Sequence, residues 1–136
     1  MFLVDTNVWL ERLLDQDRSE EVGRFLERCP AEQLAITDFA FHSIAVIMTR
    51  LEKQEALLAF VQDVFVGGGV GLVRLVADDT AEIVQVIDEF GLDFDDAYQY
   101  VSAQRNGLAI VSFDADFDRT KLGRLLPADA LARPGK

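Results

Sequence analysis

The chain carries a single cysteine, Cys29, among 136 residues. It has no intramolecular disulfide partner, which fits a reducing compartment. With neither a second cysteine nor an obvious histidine to activate it, Cys29 reads as a plain thiol. The one histidine, His42, stands next to Phe41 and two residues before Ile44, and is expected as a hydrogen-bonded, partly buried imidazole rather than a metal ligand. Apolar segments are short and interrupted by charge, and none approaches the roughly 20 residues of a membrane span. The opening Met1-Phe2-Leu3-Val4-Asp5 lacks the basic start and long apolar core of a secretory signal, so a cytoplasmic location without membrane contact is expected. The glycine-rich stretch from Gly67 to Gly71 lacks the Gly-Lys-Ser/Thr ending of a phosphate-binding loop and reads as a turn. No internal repeat or low-complexity segment is visible.

Basic residues are also scarce, 13 against 24 acidic ones, for a net charge of −11. Such a surface repels polyanions at long range and argues against a passive nucleic-acid binder. It leaves open an enzyme whose carboxylates gather around a cation, because the local sign is then set by the metal. Arg12, Arg18, Arg50, Arg105 and Arg119 are candidates for phosphate contacts.

Half of the residues are hydrophobic, and the length suits one domain with its own core. Phe2-Leu3-Val4, Leu34-Ala35-Ile36, Leu72–Val76 and Leu108–Ser112 read as short buried strands. Helices are expected from Asp5 or Thr6 to about Leu14, from Ser19 to Arg28, from Asp38 to the glycine turn with a break near Leu51–Gln54, from about Asp79 to Phe90, and from Asp93 to Asn106. Gly91 and Gly107 end the last two. The segment from Phe39 to Leu51 is apolar nearly all round, which suits core and also a dimer face. Residues from about 128 to 136 are expected as a loosely ordered tail. Strands alternating with helices imply a three-layer α/β/α sandwich around a short, mostly parallel central sheet, spanning 1–136 as one domain.

In an open parallel sheet, ligands bind beyond the carboxyl ends of the strands. Asp5 directly follows the first strand, Asp114 and Asp116 follow the fourth, and Asp95 and Asp96 lie in the first turn of the helix that Asp93 caps. Capping alone accounts for an aspartate at any one of these places. Convergence of all of them would crowd carboxylates that repel one another unless a cation neutralises them. Mg²⁺ and Mn²⁺ suit such oxygen sites, and the chemistry best served is hydrolysis of a phosphodiester, which needs no histidine base.

Three motifs carry a resemblance. Leu3-Val4-Asp5-Thr6-Asn7, Leu92-Asp93-Phe94-Asp95-Asp96-Ala97 and Ile110-Val111-Ser112-Phe113-Asp114-Ala115-Asp116-Phe117 resemble, in order and spacing, the motifs of PIN-domain nucleases. Among these the likeness is greatest to the VapC-type toxins of bacterial toxin–antitoxin pairs. The resemblance implies a PIN fold and an Mg²⁺- or Mn²⁺-dependent endoribonuclease acting on RNA. It further implies a homodimer and a small antitoxin protein as partner. Asp5, Asp96 and Asp114 would ligate the metal and Asp116 would assist. Thr6, Asn7 and Ser112 would orient the carboxylates, as groups behind a metal site do.

One position departs from the family pattern. A glutamate is usual in the helix after the second strand, and its place is taken here by Ser43. Asp38 lies five residues earlier, about 7.5 Å along a helix, and His42 is turned about 100° away. A hydroxyl can orient a water but adds no negative charge, so a second metal would bind weakly. The alternative reading is therefore a catalytically impaired PIN-like binding module. A receiver-like signalling domain fits less well, because Asp5 is followed by Thr6-Asn7 and not by a second acid.

Overall fold

The computed structural model describes residues 1–132. Four parallel strands, β1 (Phe2–Val4), β2 (Leu34–Thr37), β3 (Gly71–Val73) and β4 (Ala109–Val111), form one sheet in the order β3-β2-β1-β4. Leu3 pairs with Ala35 of β2 on one side and Ile110 of β4 on the other. The side-chain alternation of a strand divides the core into two. Phe2, Val4, Leu34, Ile36 and Val111 face one apolar cluster, whereas Leu3, Ala35 and Ile110 face the other.

The first cluster is closed by helices α1 (Thr6–Leu13), α2 (Ser19–Arg28), α3 (Asp38–Arg50), α4 (Gln54–Val61) and α7 (Pro127–Leu131). The second is closed by α5 (Thr80–Phe90) and α6 (Phe94–Asn106). This is the expected three-layer sandwich. Trp9 anchors the first layer: it is 2% exposed, its indole N–H donates to the carbonyl of Val4 at 3.2 Å, and its ring meets Phe60 edge-on at 5.4 Å. No helix among the described residues is long and apolar enough to cross a membrane.

Most boundaries fall where capping chemistry puts them. Asp5 caps α1 and Asp93 caps α6, the latter accepting from the Asp96 N–H at 2.9 Å. Gly91 and Gly107 end α5 and α6 in the left-handed region, at φ +69° and +64°, which costs glycine little. The break between α3 and α4 centres on Glu52, at φ +58°. Beyond α4 a π-helical turn, Gln62–Val66, leads into the glycine turn.

Several expectations need correction. The third strand runs only over Gly71–Val73, because its partner β2 ends at Thr37 and offers no further edge. α3 begins at Asp38 as expected, and Thr37 caps it, with Oγ1 accepting from the Ala40 N–H at 2.9 Å. The expected tail from 128 onward is helical through Leu131. Pro127 starts this turn in the position that suits a residue without an N–H, and Ala130 is buried in the first cluster. Residues 133–136 of that expectation lie outside the described ones. His42 is exposed, not partly buried, because it faces away from the side of α3 that buries Ala40, Ile44 and Met48. Leu51 is also exposed, whereas Ile44 and Met48 do belong to the core.

Candidate active site

The sheet order determines where a site can form. The chain builds outward from β1 through β2 to β3, then returns to place β4 on the other side of β1. The connections after β1 and β4 therefore diverge, leaving a crevice at their carboxyl ends. Asp5 follows β1 there, and Ser112 and Asp114 follow β4. The N-terminal turn of α6 brings Asp95 and Asp96 to the same edge. Asp5, Asp96 and Asp114 line one cleft of about 330 Å³, together with Thr6, Asn7, Ser43, Asp95 and Gln99.

Asp5 is held from three sides. Its Oδ1 accepts from the Thr6 N–H and from Gln99 Nε2, both at 2.7 Å, and its Oδ2 accepts from Ser112 Oγ at 2.7 Å. Burial pushes its carboxyl above the usual range; these hydrogen bonds oppose the shift and the nearby Asp114 adds to it. Ser112 and Gln99 are buried. Ser112 Oγ also accepts from the Asp114 N–H at 2.9 Å, so one hydroxyl fixes both a side chain after β1 and the backbone after β4. Asn7 supports this loop by accepting from the Phe113 N–H at 3.2 Å. Asp114 in turn accepts from the Asp116 N–H at 2.9 Å.

Asp96, Asp114 and Asp116 each offer a carboxylate oxygen, and these oxygens lie within 4.8 Å of one another. Asp5 stands outside that tight trio although it lines the same cleft. Burial, followed by the neighbouring charges of Asp93, Asp114 and Asp5, pushes Asp96 up to about 8. This crowding would be relieved by a divalent cation, and an all-oxygen carboxylate set suits a hard ion such as Mg²⁺ or Mn²⁺. The residues present thus fit such an ion.

The expected site residues are distributed unevenly. Asp5, Asp96, Asp114, Thr6, Asn7 and Ser43 share the cleft. Asp116 joins through the trio and Ser112 through its hydrogen bonds. Thr6 contributes its backbone N–H; among the described residues its hydroxyl makes no hydrogen bond. Sequence reasoning missed Gln99 and Thr37. Gln99 Oε1 accepts from Thr37 Oγ1 at 2.8 Å while its Nε2 donates to Asp5, so the cap of α3 is linked through α6 to the first aspartate. The signal was available for Gln99: it lies three residues after Asp96 and so shares a helix face with it.

The arginines stand mostly apart. Arg12 donates to the carbonyl and hydroxyl of Ser19, Arg18 lies 4.3 Å over the Phe113 ring and pairs with Glu21, and Arg105 pairs with Asp79 and Glu82. Arg119 reaches the site, with Nη2 3.6 Å from Asp116 Oδ1.

The family model of the PIN domain matches residues 2–122. No curated protein matches the chain. Among solved structures, the chain is similar to VapC20 of Mycobacterium tuberculosis, a sarcin-ricin-loop-cleaving toxin, at 20% identity and a TM-score of 0.72, covering 87% of this chain and 93% of that one. It is likewise similar to a chain of a toxin–antitoxin complex from Klebsiella pneumoniae, at 21% identity and a TM-score of 0.72, covering 93% and 98%. A third similar structure is FitAcB from Neisseria gonorrhoeae, at 22% identity and a TM-score of 0.73, covering 94% and 99%.

Proposed function

The chain belongs to the PIN-domain family, and on that premise we propose that it is a metal-dependent endoribonuclease, the toxin of a toxin–antitoxin pair. The observation that carries the proposal is the meeting of Asp96, Asp114 and Asp116 oxygens within 4.8 Å at the edge that Asp5 also lines. In this reading Asp5, Asp96 and Asp114 hold Mg²⁺ or Mn²⁺, and Asp116, whose carboxylate meets those of Asp96 and Asp114, assists. The bound ion supplies the Lewis acidity and charge neutralisation that phosphodiester hydrolysis needs.

The chain's own residues supply position. Thr6, Gln99 and Ser112 occupy three directions around the Asp5 carboxylate, leaving the second lone pair of Oδ2 to the cleft. Ser112 and Asp114 together fix the start of the loop that carries Asp116. Asp96, with its raised pKa, holds a proton on its carboxylate at neutral pH and releases it when a cation arrives. Ser43 contributes a hydroxyl where the family carries a carboxylate. A protein antitoxin, in keeping with the similar toxin–antitoxin complex, belongs to the same proposal, as do a homodimer, which the family resemblance implies, and residence in the cytoplasm.

The test is cleavage of labelled single-stranded and structured RNA by the purified protein in Mn²⁺, Mg²⁺ or EDTA, beside Asp5→Asn and Asp96→Asn. Metal-dependent cleavage lost in both variants supports the proposal. Ser43 favours the second reading, a binding module with impaired chemistry. Equal, negligible turnover in the parent and both variants, with all three folded, would select it.

A further inference from the structure

Beside the acidic cleft lies a second hollow of about 370 Å³, lined by Asp38, Phe39 and His42 of α3 and by Phe94 and Tyr98 of α6. Phe39 lines both, so the hollow adjoins the cleft. Resting on the nuclease reading above, we propose that this hollow is a subsite for one nucleobase of the RNA substrate, stacked against Phe94.

Three rings build it. Phe39 meets Phe94 edge-on at 6.0 Å and Tyr98 at 5.0 Å. Tyr98 is immobilised at its hydroxyl, which donates to Asp38 Oδ1 at 2.8 Å and accepts from the Leu75 N–H at 2.9 Å. Phe94 is supported by these rings yet remains 44% exposed. An aromatic residue so exposed, two positions before Asp96, is wasteful for packing but suits stacking. Every base has a π-face, and stacking requires no positive charge. That matters for a chain of net charge −11 in which Arg18, Arg105, Arg119 and Arg124 are paired with its own carboxylates. The rim adds hydrogen-bonding edges: Asp38 Oδ1 is used by Tyr98 and the Phe39 N–H, leaving Oδ2 as an acceptor, and the exposed His42 imidazole can donate or accept. A base with an exocyclic amino group, a purine foremost, matches an aromatic shelf beside a carboxylate acceptor.

The experiment uses a short single-stranded RNA containing one 2-aminopurine, whose fluorescence falls when the base stacks. Ca²⁺ replaces Mg²⁺, and cleavage in Mn²⁺ is measured separately. Saturable quenching by the parent protein is expected, weakened roughly tenfold in apparent affinity by Phe94→Leu, which keeps apolar bulk but removes the π-face. Phe94→Trp, which retains a π-face, is expected to restore it, and all three proteins are compared at equal melting temperature. Absence of quenching by the parent, or quenching unchanged in Phe94→Leu, overturns the subsite and leaves the face to a protein partner. Those results leave the nuclease reading standing if cleavage persists, whereas quenching without cleavage keeps the subsite and removes the nuclease.

Discussion

Gln99 Nε2 donates to Asp5 Oδ1 at 2.7 Å across 94 residues of sequence, and the same amide accepts from Thr37, so one side chain ties together α3, α6 and the acid after β1. Replacing Gln99 by Leu removes this donor without adding charge. We expect cation affinity, read by calorimetry, to fall by about 10–100-fold, the usual cost of losing a group that orients a ligand. Gln99→Glu should be worse, because it sets a second carboxylate against Asp5. An unchanged affinity in both would show that Thr6 and Ser112 suffice to position Asp5.

Asp96 leads to a pH prediction. Its folded-state pKa, about 8, lies well above the ordinary aspartate value of about 4. Between these values the folded protein holds a proton that the unfolded chain has lost, so this group's contribution to stability is full below pH 4 and is lost as pH rises toward 8. In EDTA, the melting temperature of the parent should therefore decline over this range relative to Asp96→Asn. Mn²⁺ should reverse the order at pH 8 by stabilising the parent more than the variant. Parallel melting curves in EDTA would sink the idea.

Ser43→Glu supplies the carboxylate that the family pattern carries. Since Ser43 already lines the cleft, the added charge should tighten Mn²⁺ binding and raise cleavage, while lowering the melting temperature of the metal-free protein through like-charge repulsion. Tighter binding without faster cleavage would indicate that something other than the missing acid limits turnover.

Trp9→Ala tests the layer beneath the site. Its indole is packed on Phe60 and hydrogen-bonded to β1, so the substitution should destabilise the fold by about 3–5 kcal/mol. Urea unfolding should show a lower midpoint with an unchanged slope.

Periodicity and capping made the sandwich legible. Apolar triplets such as Phe2-Leu3-Val4 mark strands buried on both faces, and residues such as Asp93 and Gly107 mark helix ends through local chemistry. β3 was misjudged in length because strand ends depend on how much partner edge remains, which no local pattern encodes. The helix from Pro127 was missed because it is stabilised by packing Ala130 against the first cluster rather than by its own composition. At the site, aspartates beyond strand ends could be read from their places in the chain. The place of Gln99, three residues after Asp96, put it on the same helix face, but its bonds to Thr37 and Asp5 could not be read in that way, because a glutamine on a helix is ordinary until its distant partners are known.

The placement of β4 beside β1 bears on how the protein emerges from the ribosome. Asp5 is synthesised before its Ser112 partner, which lies 107 residues downstream. Long-range pairings of this kind form late, after the loop between them has been closed. Until the loop after β4 has been made, the chain carries Asp5 and then Asp96 without Asp114 and Asp116. A nascent fragment that ends before the loop after β4 thus lacks the complete acidic trio. The order of translation keeps unfinished chains from assembling the cleft, and the trio can form only once β4 and its following loop have been released.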